Sequence, residues 1–340
     1  MITKKKINFS EKIFIAGATG MVGSAVKRAL KKQGYGSELK GGKIFSPTRK
    51  ELNLVNEEEI KFWFNKNKPT IVIIAAARVG GIIANASRPA DFLLENLQIQ
   101  TNIINAAWKS GVKRLLFLGS SCIYPKLAKQ PIEEESLMSG ELEKTNEWYA
   151  IAKISGIKLC QSLREQYGFD AISLMPTNLF GPGDNYHPVE SHVVASLLMK
   201  FLKGGINSER SVLCWGSGKA LREFMHVDDL ANAIIFALEN WDPSDKNAPL
   251  DKYGMPLTYL NVGTGKDISI YDLAKKIAFL TNYNGEIIWD HSKPDGTPQK
   301  LLDVSKLREL GWEYEIELDI GVEKTIQSYK EELNENKIRI

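Results

Sequence analysis

Two apolar rhythms alternate along the first half of the chain. Short, almost continuous apolar runs at Lys12–Ala16, Lys43–Ser46, Thr70–Ala75, Arg114–Leu118 and Asp170–Leu174 read as strands. Between them, apolar residues recur at helical spacing over Met21–Gln33, Glu57–Asn67, Phe92–Lys109 and Glu147–Gln166. A run such as Thr70-Ile71-Val72-Ile73-Ile74-Ala75 has no polar alternation, so both of its faces must be covered. The pattern therefore predicts an α/β fold in which a doubly wound parallel sheet is flanked by helices.

After Pro176 the regularity loosens. Helical spacing returns near Ser191–Leu202, Asp228–Asn240, Ile270–Thr281 and Gly321–Leu333, with strand-like runs at Ser211–Trp215, Leu257–Asn261 and Glu286–Trp289. Gly181-Pro182-Gly183-Asp184 and Gly216-Ser217-Gly218 mark loops, Asp242–Pro256 an exposed connection, and Tyr35–Gly42 a surface insertion. The expected division is a nucleotide-binding domain over 8–176 and a smaller, irregular α/β lobe over 177–335, with segments near 226–262 returning to the first.

Composition selects no special class: of 340 residues 43% are hydrophobic and 25% charged, and the net charge is +3. Lys4-Lys5-Lys6 reads as a solvated tail, because no second basic block with interleaved aromatics gives the footprint of a nucleic-acid binder. The three cysteines are odd in number and widely spaced, which argues against a disulfide framework. No apolar run approaches the ~20 residues of a membrane span, and no secretory leader is recognisable. The expectation is a cytoplasmic protein without nucleic-acid or membrane partners.

Ile13-Phe14-Ile15-Ala16 runs into Gly17-Ala18-Thr19-Gly20-Met21-Val22-Gly23 and then into an amphipathic helix. Glycines every three residues in a strand-to-helix turn suit a dinucleotide: the first permits the turn, the second lets backbone approach a pyrophosphate, and the third lets the helix pack on the strand. This is the Rossmann-type pattern, although a glycine turn without a ligand reads the same way locally. A free ribose 2′-hydroxyl is usually held by an acidic residue after the second strand. Here Ser46-Pro47-Thr48-Arg49 stands there, and an arginine suits a 2′-phosphate. NADP(H) is favoured on that ground, a plain surface arginine being the alternative.

Tyr149-Ala150-Ile151-Ala152-Lys153 sets a phenol and an amine four apart, hence on one helix face. The ammonium favours the phenolate, which makes the pair useful for proton transfer. Ser120, at the carboxyl end of the fourth strand, faces the ligand crevice of a parallel sheet and can share a substrate carbonyl oxygen with Tyr149. Strand, serine, then a helix bearing Tyr and Lys is the short-chain dehydrogenase/reductase arrangement.

From Lys113-Arg114-Leu115-Leu116-Phe117-Leu118-Gly119-Ser120-Ser121-Cys122-Ile123-Tyr124-Pro125-Lys126 onward the likeness narrows. With Tyr149–Lys153, Met175–Leu179, Ser191-His192-Val193, Trp215–Gly218, Arg222-Glu223-Phe224, His226–Asp229, Asn261–Gly265 and Lys293–Pro298, the chain resembles the GDP-L-fucose synthase family of extended short-chain dehydrogenase/reductases over nearly its whole length. The resemblance implies inversion of carbons 3 and 5 of GDP-4-keto-6-deoxy-D-mannose, then NADPH reduction of the ketone at carbon 4. It implies Cys122 and His192 as the acid-base pair, Ser120 and Tyr149 as donors to the ketone oxygen, and Lys153 on the nicotinamide ribose. Leu118, Gly119, Pro176, Thr177, Asn178, Leu179 and His192 would join the glycine loop and Arg49 around the cofactor, with no metal. Lys200, Trp215, Arg222, Asp295 and Lys300 would hold the GDP group, and a homodimer would form through the helices near Phe92–Lys109 and Glu147–Gln166.

One departure stands out. Where the family commonly carries basic residues in the glycine loop, this chain has Ala18 and Thr19. A relative acting on another GDP-4-keto sugar, of colitose or deoxyheptose type, is the rival within the class, and a non-catalytic binder on the same fold is the rival outside it.

Overall fold

The computed structural model of the chain describes residues 5–188 and 190–339. Strands β1 (Lys12–Ala16), β2 (Lys43–Phe45), β3 (Ile71–Ile74), β4 (Arg114–Leu118) and β5 (Ala171–Pro176) alternate with helices α1 (Met21–Lys32), α2 (Glu57–Asn67), α3 (Ile82–Ser87), α4 (Pro89–Lys109) and α5 (Glu147–Tyr167). Then follow β6 (Asn178–Phe180), α6 (Val193–Ile206), β7 (Ser211–Trp215), β8 (Leu221–His226), α7 (Val227–Asn240) and β9 (Tyr259–Val262). Last come β10 (Asp267–Ser269), α8 (Ile270–Leu280), β11 (Glu286–Asp290), β12 (Gln299–Lys300), α9 (Ser305–Glu309) and α10 (Leu318–Asn334).

Six strands form one wholly parallel sheet in the order β2-β1-β3-β4-β5-β9. Along β1, Ile13 and Ile15 enter the core with α1 and α7, while Phe14 and Ala16 enter the opposite core with α2, α4 and α5. This two-sided burial is why the strands read as unbroken apolar runs. A second sheet joins β10, β8, β12 and β6, and β11 pairs in parallel with β7. The third core, between α6, α8 and α10, supports it.

Some expectations need correcting. The helix near Ser191–Leu202 begins at Val193, because His192 is extended (φ −76°, ψ 165°) and takes the N-cap position. The strand near Leu257–Asn261 is Tyr259–Val262, and it completes the large sheet beside β5. The Tyr35–Gly42 segment is not all surface: Tyr35 is buried and donates its hydroxyl to Glu239 at 2.5 Å. Lys5 and Lys6 pair with Glu239 (2.7 Å), Asp242 and Asp245 (both 3.1 Å), while Lys4 lies outside the described residues. Among the described residues, no helix is long and apolar enough to cross a membrane.

Candidate active site

The chain runs from β1 to β2 on one side of the sheet and continues from β3 on the other, so the carboxyl ends of β1 and β3 part around a crevice. The glycine loop fills its floor. Gly17 has φ +80°, and a Cβ there would lie 2.7 Å from the backbone of Ala76. A Cβ on Gly23 would strike the Gly17 carbonyl oxygen at 2.2 Å, whereas one on Gly20 meets nothing nearer than 3.4 Å. Two glycines thus close the turn while the third leaves its face open. Gly20 caps α1, whose first turn carries no acidic residue, so its amide groups can take an anion without a competing carboxylate. Ala18 is buried, Thr19 exposed, and Met21 and Val22 pack partly on the first core. These residues fit a dinucleotide pyrophosphate.

Arg49 is exposed beyond β2 and stands 3.5 Å from Glu95, a carboxylate it shares with Arg78 (2.6 Å). Arg78, in the loop after β3, is a second guanidinium that no sequence pattern singled out. Past β5, Thr177 and Asn178 both donate to the Glu223 carbonyl, at 3.1 and 2.7 Å, which ties this edge of the crevice to β8.

Tyr149 and Lys153 are aimed by α5. A Cβ at Gly156 would sit 2.5 Å from the Phe117 ring, so the helix lies hard against β4, and the residues one and two turns earlier on that face overhang the strand's carboxyl end. The Lys153 ammonium donates to the Leu118 carbonyl at 2.7 Å, just before Gly119, and lies 5.8 Å from the Tyr149 ring centre. Desolvation pushes Lys153 down to about 7. Burial raises the Tyr149 phenol and the nearby Cys122 charge adds to this, while a hydrogen bond with Ser120 opposes them. Ser120 also accepts from the Cys122 amide at 3.2 Å, fixing the turn that presents the thiol.

Lys300, on β12, brings its ammonium to 3.5 Å from the Cys122 sulfur. His192 stands at the N-cap of α6, and desolvation lowers its pKa, with the charge of Lys300 pushing the same way. Arg222, paired in register with Lys300, also feels the Cys122 charge. Ser120, Cys122, Tyr149, Lys153, His192, Arg222 and Lys300 thus form one electrostatically connected group.

Two buried carboxyls hold this group, and neither was singled out as a site residue from sequence. Glu223 accepts from the amides of Thr264 (2.6 Å), Gly265 (2.8 Å) and Leu302 (3.0 Å), clasping β12 to β8. Glu134 accepts from the Asn261 amide at 2.8 Å, and Tyr124 donates to the Asn261 side chain at 2.6 Å, which anchors the loop after Cys122. Burial pushes Glu134 up to about 7.

The remaining candidates lie further out. Lys200 donates to the Leu213 carbonyl (2.8 Å) with its ammonium 5.2 Å from the Trp215 ring, and Lys293 stands 5.6 Å from the same ring. Asp295 is exposed and tied to its neighbours: its carboxylate accepts from the Ser217 amide (2.7 Å) and hydroxyl (2.6 Å), and its backbone carbonyl takes Arg222 at 3.1 Å. Cys160 and Cys214 are buried and free. Among the described residues no cluster of side chains is arranged to hold a metal ion.

The sequence pattern of the NAD dependent epimerase/dehydratase family matches residues 13–250. GDP-L-fucose synthase of Escherichia coli (strain K12) is 48% identical over 97% of this chain and 99% of its own length. GDP-L-fucose synthase 1 of Arabidopsis thaliana is 48% identical over 94% and 93%. Among solved structures, a GDP-mannoheptose reductase from Campylobacter jejuni with NADP bound superimposes with a TM-score of 0.82 at 35% identity, covering 95% of this chain and 99% of that one.

Proposed function

Since the chain belongs to the NAD dependent epimerase/dehydratase family, we propose that it is a GDP-L-fucose synthase, which takes GDP-4-keto-6-deoxy-D-mannose through inversion at carbons 3 and 5 and reduction at carbon 4. The identity of 48% to fucose synthases, against 35% to the heptose reductase, supports this substrate over the heptose alternative. One observation carries the chemistry: a thiol, an ammonium, a phenol and a serine hydroxyl converge at the end of β4.

The protons at carbons 3 and 5 are acidic because the charge left behind moves onto the ketone oxygen. Ser120 and Tyr149 donate to that oxygen, while Cys122 and His192 exchange protons with the two carbons from opposite faces of the ring. A thiol and an imidazole have free pKa values of about 8.5 and 6.5, close enough to neutrality to lend and recover a proton in each turnover. Lys300 donates to the Cys122 sulfur and orients it. Tyr149 then delivers a proton to the oxygen at carbon 4, and Lys153 tunes the phenol.

NADPH supplies the hydride when bound. Gly17–Gly23 receive its pyrophosphate, Arg49 its 2′-phosphate, and Leu118, Gly119, Lys153, Pro176–Leu179 and His192 surround its nicotinamide half. Lys200, Trp215 and Arg222 take the GDP group, with Asp295 shaping that pocket by holding the Ser217 turn. The protein acts in the cytoplasm, without nucleic-acid or membrane partners. It dimerises through α4 and α5, where Leu94, Trp148, Ile151 and Tyr167 are exposed, a state that light scattering would report.

The deciding experiment incubates the protein with GDP-4-keto-6-deoxy-D-mannose and either NADPH or NADH and identifies the product by NMR. GDP-L-fucose is expected; a product reduced at carbon 4 with carbons 3 and 5 uninverted would sink the assignment.

A further inference from the structure

The glycine loop of this chain has no basic residue of its own, but the structure brings one to it from more than 300 positions away in sequence. A Cβ built on Gly20 would lie 3.7 Å from the Arg339 Nη1, which sets that guanidinium over the open face of the loop. Three separate contacts hold the segment after α10 in this position. The Arg339 carbonyl accepts from the Tyr186 amide at 2.9 Å. Ile338 packs on the third core. Glu332, near the end of α10, accepts from the Gly183 amide at 2.9 Å, and a Cβ on Gly183 would sit 3.8 Å from Met21 Cα at the start of α1. Residues Gly181–Tyr186 therefore bridge this segment to the dinucleotide turn.

The electrostatics agree. Asp184, 3% exposed, keeps one carboxylate oxygen with no hydrogen-bond partner among the described residues. Burial pushes its pKa up to about 7, and the charge of Arg339 works against that rise. Arg339 itself is exposed and makes no ion pair with a described residue, so its fork is free to take an anion. The open face over Gly20 is where a dinucleotide pyrophosphate meets backbone, at a helix N-terminus.

Resting on the reading that the chain binds NADP(H), we propose that Arg339 is a ligand to the pyrophosphate of the bound dinucleotide, supplying the guanidinium that Ala18 and Thr19 do not. A charge-assisted fork on two phosphate oxygens serves any dinucleotide, whatever its 2′ substituent.

The test measures binding, not turnover: NADPH, NADH and ADP-ribose are titrated against wild type, Arg339→Ala and Arg339→Lys by calorimetry. Arg339→Ala is expected to raise all three dissociation constants by about tenfold, with Arg339→Lys in between and thermal unfolding of the unliganded proteins unchanged. A loss confined to NADPH would move the contact to the 2′-phosphate and overturn the proposal. Unchanged affinity would overturn it too, and tighter binding would mean that the arginine competes for the site. Wild type that binds none of the three would instead overturn the NADP(H) reading, an outcome distinct from failure of Arg339 alone.

Discussion

Lys300 and Cys122 are separated by 178 positions in sequence, and the ammonium of one stands 3.5 Å from the sulfur of the other. That contact holds the sulfur in place and sets a donor against the negative charge that develops or disperses on it as it reacts. Replacing Lys300 with methionine should slow alkylation of Cys122 by iodoacetamide at pH 7 by about tenfold. Cys160 and Cys214 are buried, so the label reports the one accessible thiol. An unchanged rate would remove Lys300 from the proton-transfer chemistry.

The proton-exchange and reduction steps should separate by mutation. Cys122→Ser is expected to slow solvent deuterium entry into the sugar ring, whereas Tyr149→Phe chiefly suppresses NADPH oxidation, by roughly 10²–10⁴-fold. Mass spectrometry of recovered nucleotide sugar reads the first and absorbance the second. Full deuterium incorporation by Cys122→Ser would end the case for the thiol.

Among the described residues Arg49 pairs with Glu95 alone, and at 3.5 Å, so its fork is available to a 2′-phosphate. Arg49→Ala should weaken NADPH by about tenfold and leave NADH nearly untouched. Equal loss for both cofactors, read by fluorescence titration, would point to a structural effect instead.

At Gly23 an added methyl would lie 2.2 Å from the Gly17 oxygen, and at Gly20 it would find room. Gly23→Ala should therefore destabilise the fold by about 1–3 kcal/mol, seen as a lower urea midpoint, while Gly20→Ala mainly weakens dinucleotide binding. Matching urea midpoints for Gly23→Ala and wild type would contradict the close approach described for this turn.

Glu134 holds its proton up to about 7 in the folded protein, against 4.5 for a free carboxyl, because it is buried. Above its unfolded pKa the unfolded chain has released a proton that the native state keeps. Stability from this group is therefore complete below pH 4.5 and is lost as pH rises through about 7. Glu134→Gln should lose less stability than wild type between pH 4.5 and 8, by on the order of 3 kcal/mol. Parallel pH curves in urea unfolding would refute the shift.

What the sequence disclosed divides along physical lines. β1, β3 and β4 were legible because both faces of their sheet are covered, and the glycine turn because close backbone approach tolerates so few residues. β8 was hidden: Arg222, Glu223 and His226 read as polar, yet Glu223 and His226 are buried, the first accepting from backbone amides and the second accepting at Nδ1 from the Asp228 amide. The resemblance assigns Lys300 to the nucleotide because it transfers positions and not distances; its approach to Cys122 depends on how Glu223 clasps β12. Arg339 carried no local signal at all, lying in a short, mostly polar stretch in which Ile338 packs on the third core.

The last strand of the large sheet, β9, arrives only after the chain has built α6, β7, β8 and α7. During synthesis on a ribosome, β5 must wait as an unpaired sheet edge until residue 262 has cleared the exit tunnel. A nascent or truncated product ending before that point is open to strand pairing with other chains, which makes the stretch from 177 to 262 the interval in which a chaperone has most to protect.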